Sequence, residues 1–341
     1  MIGIIGYLCM DVFPDLGQEP FAYVPGMLRE VGSAPGHPGG TVGNTGGALC
    51  RLRENVRLGC AVGDDLWGTL IMHELKEIAA QANADLRAIE FKGESSGYSL
   101  VLNPANQDRM FLVCRGVNDC LTSDSFDDSF LDGLNILHFG YPSLCKGMAE
   151  RDGDETKKLF QRCRAKGILT SLDLSLPSPD TWFYTLDWIS VLKNVLPETD
   201  LFCPSIDELR FMLKMPTESP DELINTALAM GAKAVFLKMG AEGILFGSAD
   251  TAETAEVFAR FGSGAWRGER HMVKPFPVKV VGTTGAGDSS IAGMLCGISH
   301  GFCALDAVKF ASRVASYSIS AMDSLSGIPT YEQIIEKDDW K

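Results

Sequence analysis

A glycine-rich segment near the end of the chain contains residue types that could bind a phosphate and remove a proton. Residues 282–288 read Gly-Thr-Thr-Gly-Ala-Gly-Asp, after the valine-rich residues 278–281 and before residues that favour a helix. This order predicts a strand, a tight turn and a helix whose first N–H groups point towards one place, where an anion binds well. Gly285 and Gly287 would allow the backbone to approach a ligand. Asp288 adds a carboxylate, which beside a bound phosphate is most useful for taking the proton of an attacking hydroxyl.

Two interpretations of Asp288 stay open at this point. An aspartate at the beginning of a helix commonly caps the free N–H groups there. The segment is not a P-loop, which would need a lysine where Asp288 stands, and it lacks the GxGxxG pattern of dinucleotide-binding turns. Taken alone, the segment therefore indicates either a phosphate site with a catalytic base or a capped helix.

The elements that would position this segment are predicted by the alternation of apolar runs and helical segments. Residues 1–8 form an apolar run typical of a buried parallel strand. From residue 134 to residue 203, strand-like and helix-like segments alternate, which predicts an α/β fold. We expect a doubly wound, mainly parallel central sheet flanked by helices, with ligands bound beyond the carboxyl ends of its strands.

A second, smaller β-structure is predicted to stand off this body. Residues 98–103 and 109–114 are β-rich on either side of the turn-like residues 104–108, which is a hairpin signal. Residues 12–38 are rich in proline and glycine and lack helical periodicity. We expect these segments to form one small unit.

Composition and charge exclude several classes of protein. The 341 residues are 45% hydrophobic and 22% charged, which favours a folded chain of two average domains or one large α/β domain. The formal net charge of −14 argues against nucleic acid or an anionic membrane as a partner. The ten cysteines form no CxxC pair, the first residues lack the basic region typical of a signal peptide, and no apolar run is long enough to span a membrane. We therefore expect a soluble, cytoplasmic protein.

The residues around the glycine-rich turn carry a family resemblance. Residues 283–288, with a valine-rich run before them and Gly293 after them, closely resemble the C-terminal signature of the ribokinase-like (pfkB) carbohydrate kinase family. Further elements occur in the order and at the spacing of that family across nearly the whole chain: Asp11, Gly39-Gly40 with Asn44, Gly63-Asp64-Asp65, Ser205-x-x-Glu208 and Gly240-x-x-Gly243. The resemblance implies a single kinase domain over residues 1–341, with a lid from about residues 12–36 and 97–116. In many family members this lid also forms a homodimer interface.

The resemblance also implies roles for individual residues. It implies Asp288 as general base, with a catalytic anion hole made by Gly285, Ala286 and Gly287. It implies sugar or nucleoside binding by Asp11, Gly39, Gly40, Asn44 and Arg109. It implies ATP binding by Lys238, Gly240, Gly243, Thr283 and Ser312, and an indirect contact of Glu208 with Mg²⁺.

The residue types alone leave other interpretations open for Asn44, Glu208 and Lys238. Asn44 could equally begin a helix, and Ser205-x-x-Glu208 is also a capping box. Lys238 could contact a phosphate or face solvent. Asp64 and Asp65 are most simply explained as helix-capping residues.

Departures from the family pattern keep several functions open. Gly282 stands where the family usually has an aspartate associated with a monovalent cation, and Ser290 stands where phenylalanine is common. Monovalent-cation activation is therefore doubtful, and a non-catalytic sugar- or nucleotide-binding protein is one alternative. Cys9 and Thr41 depart from ribokinases, which disfavours ribose as the substrate. The leading hypothesis is an ATP-dependent kinase of a sugar or sugar-like alcohol, and the other alternative is a nucleoside kinase on the same fold.

Overall fold

A computed structural model of the protein describes residues 1–17, 22, 24–105, 109–262, 266–337 and 340–341. The strands are β1 Ile2–Gly6, β2 Cys9–Val12, β3 Gly36–Gly39, β4 Val56–Gly63, β5 Asp85–Phe91, β6 Tyr98–Leu102, β7 Met110–Cys114, β8 Ile136–Gly140, β9 Leu169–Leu172, β10 Leu201–Phe202, β11 Ala234–Lys238, β12 Ile244–Ser248 and β13 Arg270–Val273. The α-helices are α1 Gly47–Arg51, α2 Leu66–Ala80, α3 Asp128–Leu131, α4 Lys146–Ala165, α5 Trp182–Thr185, α6 Trp188–Val195, α7 Ile206–Leu213, α8 Pro220–Ala229, α9 Ala252–Ala259, α10 Ala286–Ser299, α11 Ala304–Ser318 and α12 Tyr331–Lys337. Among these helices, none combines the length and apolar character needed to cross a membrane.

Within the described residues, a nine-stranded sheet forms the centre of the molecule, in the order β13-β12-β11-β10-β9-β8-β1-β4-β5. The pairs from β11 through β1 to β5 are parallel, and β12 and β13 are added antiparallel at one edge. Every residue of β1, β4 and β8 is buried, as expected for parallel strands that helices cover on both faces. The predicted α/β fold with a mainly parallel, doubly wound sheet is confirmed.

The hydrophobic core is divided by this sheet into two clusters. Ile4 belongs to one cluster and its neighbour Ile5 to the other, because successive side chains of a strand point to opposite faces. The first cluster includes the buried side chains of α10 and α11, which pack against each other. Helix α10 is therefore embedded in the core from Asp288 to Ile298.

The strand predicted at residues 278–281 does not form, and that prediction was wrong. Strand β13 ends at Val273, and Val280 is 57% exposed. Pro275 and Pro277 follow the strand, and a proline has no N–H with which to continue a ladder. The segment is instead attached to the end of α11 by one good backbone bond, from Val281 N to Ile319 O at 2.8 Å.

A separate four-stranded sheet, which we call the small sheet, has the order β3-β2-β6-β7. Strands β6 and β7 pair antiparallel, which confirms the predicted hairpin, although residues 106–108 of its turn lie outside the described residues. Of the predicted lid segment 12–36, residues 18–21 and 23 also lie outside them, and the described residues from Phe13 to Pro35 carry no strand. That this sheet acts as a lid stays a prediction.

Candidate active site

The glycine-rich turn leads directly into α10 and places Asp288 in the first turn of that helix. Gly285 has a φ of 72°, a left-handed conformation that favours glycine, and the helix begins at Ala286. Asp288 is 5% exposed. The first N–H groups of α10 and the carboxylate of Asp288 are therefore presented together.

The carboxylate of Asp288 is held by hydroxyl groups from two distant parts of the chain. The Tyr141 hydroxyl donates to it, at 2.8 and 2.9 Å from its two oxygens, and Thr45 Oγ1 donates to Oδ1 at 3.0 Å. No side chain caps α10, so the capping interpretation of Asp288 is wrong. Tyr141 has a φ of 65°, a left-handed backbone that a tyrosine adopts only when its surroundings hold it there.

Burial raises the pKa of Asp288, and this effect exceeds the opposing effects of Lys238 and of the side chains that hydrogen-bond to the carboxylate. A carboxylate with a raised pKa is a stronger base than an ordinary surface aspartate. The environment of Asp288 therefore suits a group that takes up a proton during a reaction.

Lys238, at the end of β11, forms a buried ion pair beside this carboxylate. Its Nζ lies 2.6 Å from Asp173 Oδ1, and the two side chains are only 13% and 2% exposed. Burial would lower the pKa of Lys238, but the carboxylates of Asp173 and Glu208 together raise it above its ordinary value. The ammonium is therefore charged, and the interpretation of Lys238 as a solvent-facing residue is wrong.

The ammonium of Lys238 also lies against the glycine-rich turn. A Cβ built on Gly287 would be 3.7 Å from Lys238 Nζ. The N-terminus of α10 carries the positive end of the helix dipole, so the dipole and the ammonium both favour an anion at this turn. Because Gly287 has no side chain, an anion has room to bind beside the turn.

Glu208 serves two purposes in the structure. Its carboxylate accepts a bond from Ser205 N at 2.6 Å, and Ser205 Oγ accepts from Glu208 N at 3.3 Å, which completes the capping box of α7. Burial raises the pKa of Glu208, and Lys238 opposes that shift. The residue is therefore both a cap and a member of the charged group around Lys238, so the two interpretations do not exclude each other.

The residues predicted to bind substrate meet the turn from the other side. Gly39 lies so close to Asp11 that a Cβ there would overlap Asp11 Oδ2, and Gly40 has a φ of 71°. Asn44 Oδ1 accepts a hydrogen bond from Ser324 Oγ at 3.1 Å, and its side chain lowers the pKa of Asp288. Burial raises the pKa of Asp11, and the charge of Asp288 raises it further. The structure therefore brings the two ends of the sequence into one site.

Arg109 connects the small sheet to the turn. Its Nη1 donates to Thr284 Oγ1 at 2.6 Å, and its guanidinium lies over the ring of Phe111 at 5.6 Å. The contact joins β7 of the small sheet to the residue just before Gly285. Arg109 is thus placed at the edge of the turn, on the surface of the molecule.

Only some of the residues predicted to contact nucleotide lie next to Lys238 or the glycine-rich turn. Gly240 and Gly243, with φ values of 57° and 103°, form the turn between β11 and β12 directly after Lys238. Thr283 accepts a long backbone bond from Ala286 N at 3.4 Å. Ser312 is buried in α11, and its hydroxyl donates to Lys274 O at 3.3 Å rather than to a member of the Asp288 group. The structure does not bring Ser312 to the site through a hydrogen bond.

Three contributors to the site were missed by sequence reasoning. Asp173, Thr45 and Tyr141 belong to none of the motifs singled out in the sequence. Thr45 does follow Asn44 within the short helical turn Val42–Gly46 that precedes α1, so its place next to Asn44 could have marked it. Tyr141 follows the last residue of β8, and side chains at the carboxyl ends of parallel strands are those that meet ligands.

Comparison with known proteins decides the family. The family model of the pfkB family carbohydrate kinases matches residues 2–331. The chain belongs to this family. It is a carbohydrate kinase, as the names of its relatives also indicate.

The relatives span almost the whole chain at low identity. The kinase is 25% identical to the ribokinase of Bacillus subtilis, with 98% of each chain covered. It is 23% identical to the 5-dehydro-2-deoxygluconokinase of Clostridium perfringens, with 97% of this chain and 90% of that one covered. Relatives named for different sugars match almost equally well, so the comparison does not select a substrate.

Solved structures show the same fold. The ribokinase of Thermotoga maritima superposes with a TM-score of 0.74 at 17% identity, covering 98% of each chain. The Arabidopsis thaliana ribokinase complexed with ribose and ATP superposes with a TM-score of 0.72 at 16% identity, covering 98% of this chain and 97% of that one. The ribokinase-like fold predicted from the sequence is thereby confirmed.

Proposed function

We propose that this kinase transfers the γ-phosphoryl group of ATP to a hydroxyl of a sugar or sugar-like alcohol, with Asp288 as general base. The observation that supports this is the position of Asp288: buried, in the first turn of α10, and held by hydroxyl groups. A substrate hydroxyl can replace one of these donors at the carboxylate without breaking an ion pair. The hydroxyl would then be placed to lose its proton as it attacks.

The anion site would be formed by the backbone of Gly285, Ala286 and Gly287, together with Lys238. Their N–H groups lie at the positive end of α10, and the ammonium of Lys238 lies beside Gly287. Since these groups are fixed before any ligand binds, they would stabilise charge on the transferring phosphoryl group without rearranging. Gly240, Gly243, Thr283 and Ser312 would contact the rest of the nucleotide.

The residues present fit ATP and Mg²⁺. Glu208 offers a carboxylate beside the turn, the kind of group that attracts Mg²⁺, and the glycine-rich turn leaves space that a Cβ would fill. When bound, Mg·ATP supplies the phosphoryl group and neutralises part of its charge. Glu208 would orient the metal indirectly, because its carboxylate is engaged by Ser205 N.

Asp11, Gly39, Gly40 and Asn44 would bind the acceptor on the side facing Asp288. Their carboxylate, backbone and amide groups suit the hydroxyls of a sugar. Arg109 would approach from the small sheet, and we propose that this sheet closes over the substrate as a lid that excludes water. Its contact with Thr284 supports this proposal.

We also propose a homodimer formed through the small sheet. Strand β7 is at the edge of that sheet, and Met110, Phe111, Leu112 and Val113 are all exposed. An apolar edge strand with free backbone groups is suited to pair with another strand, and a second copy of the chain offers an identical one. Leu112→Lys should convert a dimer to a monomer in sedimentation equilibrium, and a wild-type monomer would contradict the proposal.

The proposed cellular location is the cytoplasm. The ten cysteines are free thiols, and most of them are buried, as is usual in a reducing compartment. Detection of the protein outside the cytoplasmic fraction of its own cells would contradict this.

A substrate screen tests the proposed reaction. Purified protein is incubated with Mg·ATP and a panel of sugars, sugar alcohols and nucleosides, and product mass and ADP release are measured. We expect phosphorylation of at least one sugar, and Asp288→Ala should abolish it while ATP still raises the melting temperature. Phosphorylation of nucleosides alone would support the nucleoside alternative. A panel member that stabilises the protein but is never phosphorylated would favour the binding-protein alternative.

A further inference from the structure

Three metal-ligating side chains meet at the end of α10 opposite to Asp288. Cys296 Sγ lies 3.2 Å and His300 Nε2 lies 2.7 Å from the same oxygen, Glu54 Oε1. One ligand atom from each residue lies within 4.8 Å of the other two. A thiol, an imidazole and a carboxylate from separate parts of the chain are thus brought to one point.

The surroundings of this group resemble a metal site more than an ordinary surface ion pair. Cys296 and Glu54 are buried, while the side chain of His300 is 35% exposed. Tyr331 stacks on His300 with ring centroids 3.7 Å apart and an angle of 13°, which fixes the imidazole with Nε2 towards Glu54. Among the described residues, the only ion pair of Glu54 is with His300. A buried carboxylate is costly unless a cation compensates it.

Two helix ends add to the preference for a cation at this place. Helix α10 ends at Ser299, next to His300, and α1 ends at Arg51, three residues before Glu54. The two helices pack against each other. The C-terminal end of a helix carries negative partial charge, so both ends favour a positive ion.

We propose that Glu54, Cys296 and His300 form a Zn²⁺ site, with the exposed side of His300 leaving the fourth position to water. Thiolate, imidazole and carboxylate are the ligands zinc uses in proteins. Ligand atoms around a tetrahedral zinc are separated by about 3.3–3.6 Å, given its bond lengths. The 2.7 and 3.2 Å separations would therefore open slightly when the ion binds, with His300, the exposed ligand, making the adjustment.

Binding would exchange a proton for a metal bond. The Cys296 S–H bond breaks, its proton goes to solvent and the sulfur electron pair forms the Zn–S bond, with no change of oxidation state. Because the thiol gives up its proton when the metal binds, zinc affinity should rise with pH.

The site would join the two helices that carry the active-site residues at their other ends. Helix α10 begins at Asp288's turn, and α1 continues from the helical turn that holds Asn44 and Thr45. The fourteen residues of α10 extend about 20 Å, so the ion would not contact the reacting groups. Its role would be to hold α1 and α10 together at their ends far from Asp288.

Co²⁺ is the probe that tests this site, because a cobalt–thiolate bond absorbs light. Metal-free full-length protein, without nucleotide or sugar, is titrated with Co²⁺ and then with Zn²⁺. We expect one Co²⁺ per chain, a near-ultraviolet thiolate-to-cobalt band and tetrahedral visible bands, all displaced by Zn²⁺. Absence of the charge-transfer band in the wild type would overturn the proposal, and would leave an ion pair as the explanation.

Variants separate this site from other thiols. Cys296→Ser should abolish the charge-transfer band, and His300→Ala should weaken Co²⁺ binding at least about tenfold. His300 is exposed, so its replacement is expected to leave the fold intact. Cys303→Ser is the matched control, since Cys303 is the next cysteine along the chain and is partly exposed. Loss of the band in Cys303→Ser, or unchanged affinity in His300→Ala, would also overturn the assignment. None of these measurements depends on kinase activity.

Discussion

Asp173 and Asp288 are two buried carboxylates near one lysine, and they are held in different ways. Asp173 lies 2.6 Å from Lys238 Nζ in an ion pair. Asp288 is held by the neutral hydroxyls of Tyr141 and Thr45. Removing Asp173 would leave the buried ammonium of Lys238 without its ion-pair partner, whereas Asp288 can exchange one hydroxyl for another. The difference fits the proposed role of Asp288 in proton transfer, and it suits Asp173 to holding Lys238.

Burial acts on both carboxylates in the same direction. It raises the pKa of Asp173 despite the ammonium of Lys238, and it raises the pKa of Asp288 against the same ammonium. Lys238 therefore acts as a shared cation that favours the charged form of both. The predictions below change one member of this group at a time.

The largest effect is expected from Asp288→Asn. Loss of the proposed general base should lower kcat by about 10³-fold or more, with little change in the stabilisation by ATP, because the proposed anion site is made of backbone N–H groups and Lys238. Steady-state rates with the best sugar from the screen measure this. Retention of a tenth or more of the wild-type kcat would show that another group takes the proton.

Asp173→Ala should mainly affect stability. It leaves Lys238 buried with less compensation, which should cost about 3 kcal/mol of the free energy of unfolding. The double variant Asp173→Ala/Lys238→Met removes both charges and should be more stable than Asp173→Ala alone, as measured by urea unfolding. Additive losses in the double variant would contradict the ion pair.

Lys238→Met should lower kcat/KM by about 10²-fold, as for loss of one preorganised charge at a phosphoryl site. It should also shift the pH profile. Lys238 lowers the pKa of Asp288, so without it the pKa of Asp288 rises. Activity should then be lost at a higher pH on the acid side. An acid limb that moves to lower pH would contradict the proximity of the two groups.

Tyr141→Phe should have the smallest effect of the series. The tyrosine hydroxyl lowers the pKa of Asp288, so its loss should move the acid limb of kcat/KM upward, in the same direction as Lys238→Met. The loss of one hydrogen bond corresponds to about 1 kcal/mol, or about five-fold in rate near the acid limb. An unchanged pH profile of kcat/KM would mean that the Tyr141 hydroxyl no longer donates to Asp288 when the reaction begins.

The sequence was sufficient for the fold because long apolar strands alternate with helices. It failed at residues 278–281, where valines suggested a strand but Pro275 and Pro277 prevent the ladder from continuing. Asp288 itself was recognisable, but whether it caps α10 depended on where the helix begins. The structure places that beginning at Ala286, so that Asp288 lies inside the first turn.

The contacts that tune Asp288 were beyond sequence reasoning. Tyr141 and Thr45 lie 147 and 243 residues away along the chain, and neither belongs to a motif. The partner of Lys238 is 65 residues away, and a lysine at the end of a strand usually reaches solvent. Only the folded sheet brings these groups to one edge. Burial there strengthens the effect of each hydrogen bond and ion pair on the pKa of Asp288.

The pH dependence of single-turnover phosphoryl transfer in Asp288→Asn and Asp173→Asn tests the central claim most directly. With bound ATP and the best sugar, the acid limb seen in the wild type should disappear in Asp288→Asn, leaving only slow, nearly pH-independent transfer. The acid limb should persist in Asp173→Asn. An acid limb that is retained in Asp288→Asn and lost in Asp173→Asn would contradict the assignment of Asp288 as the base.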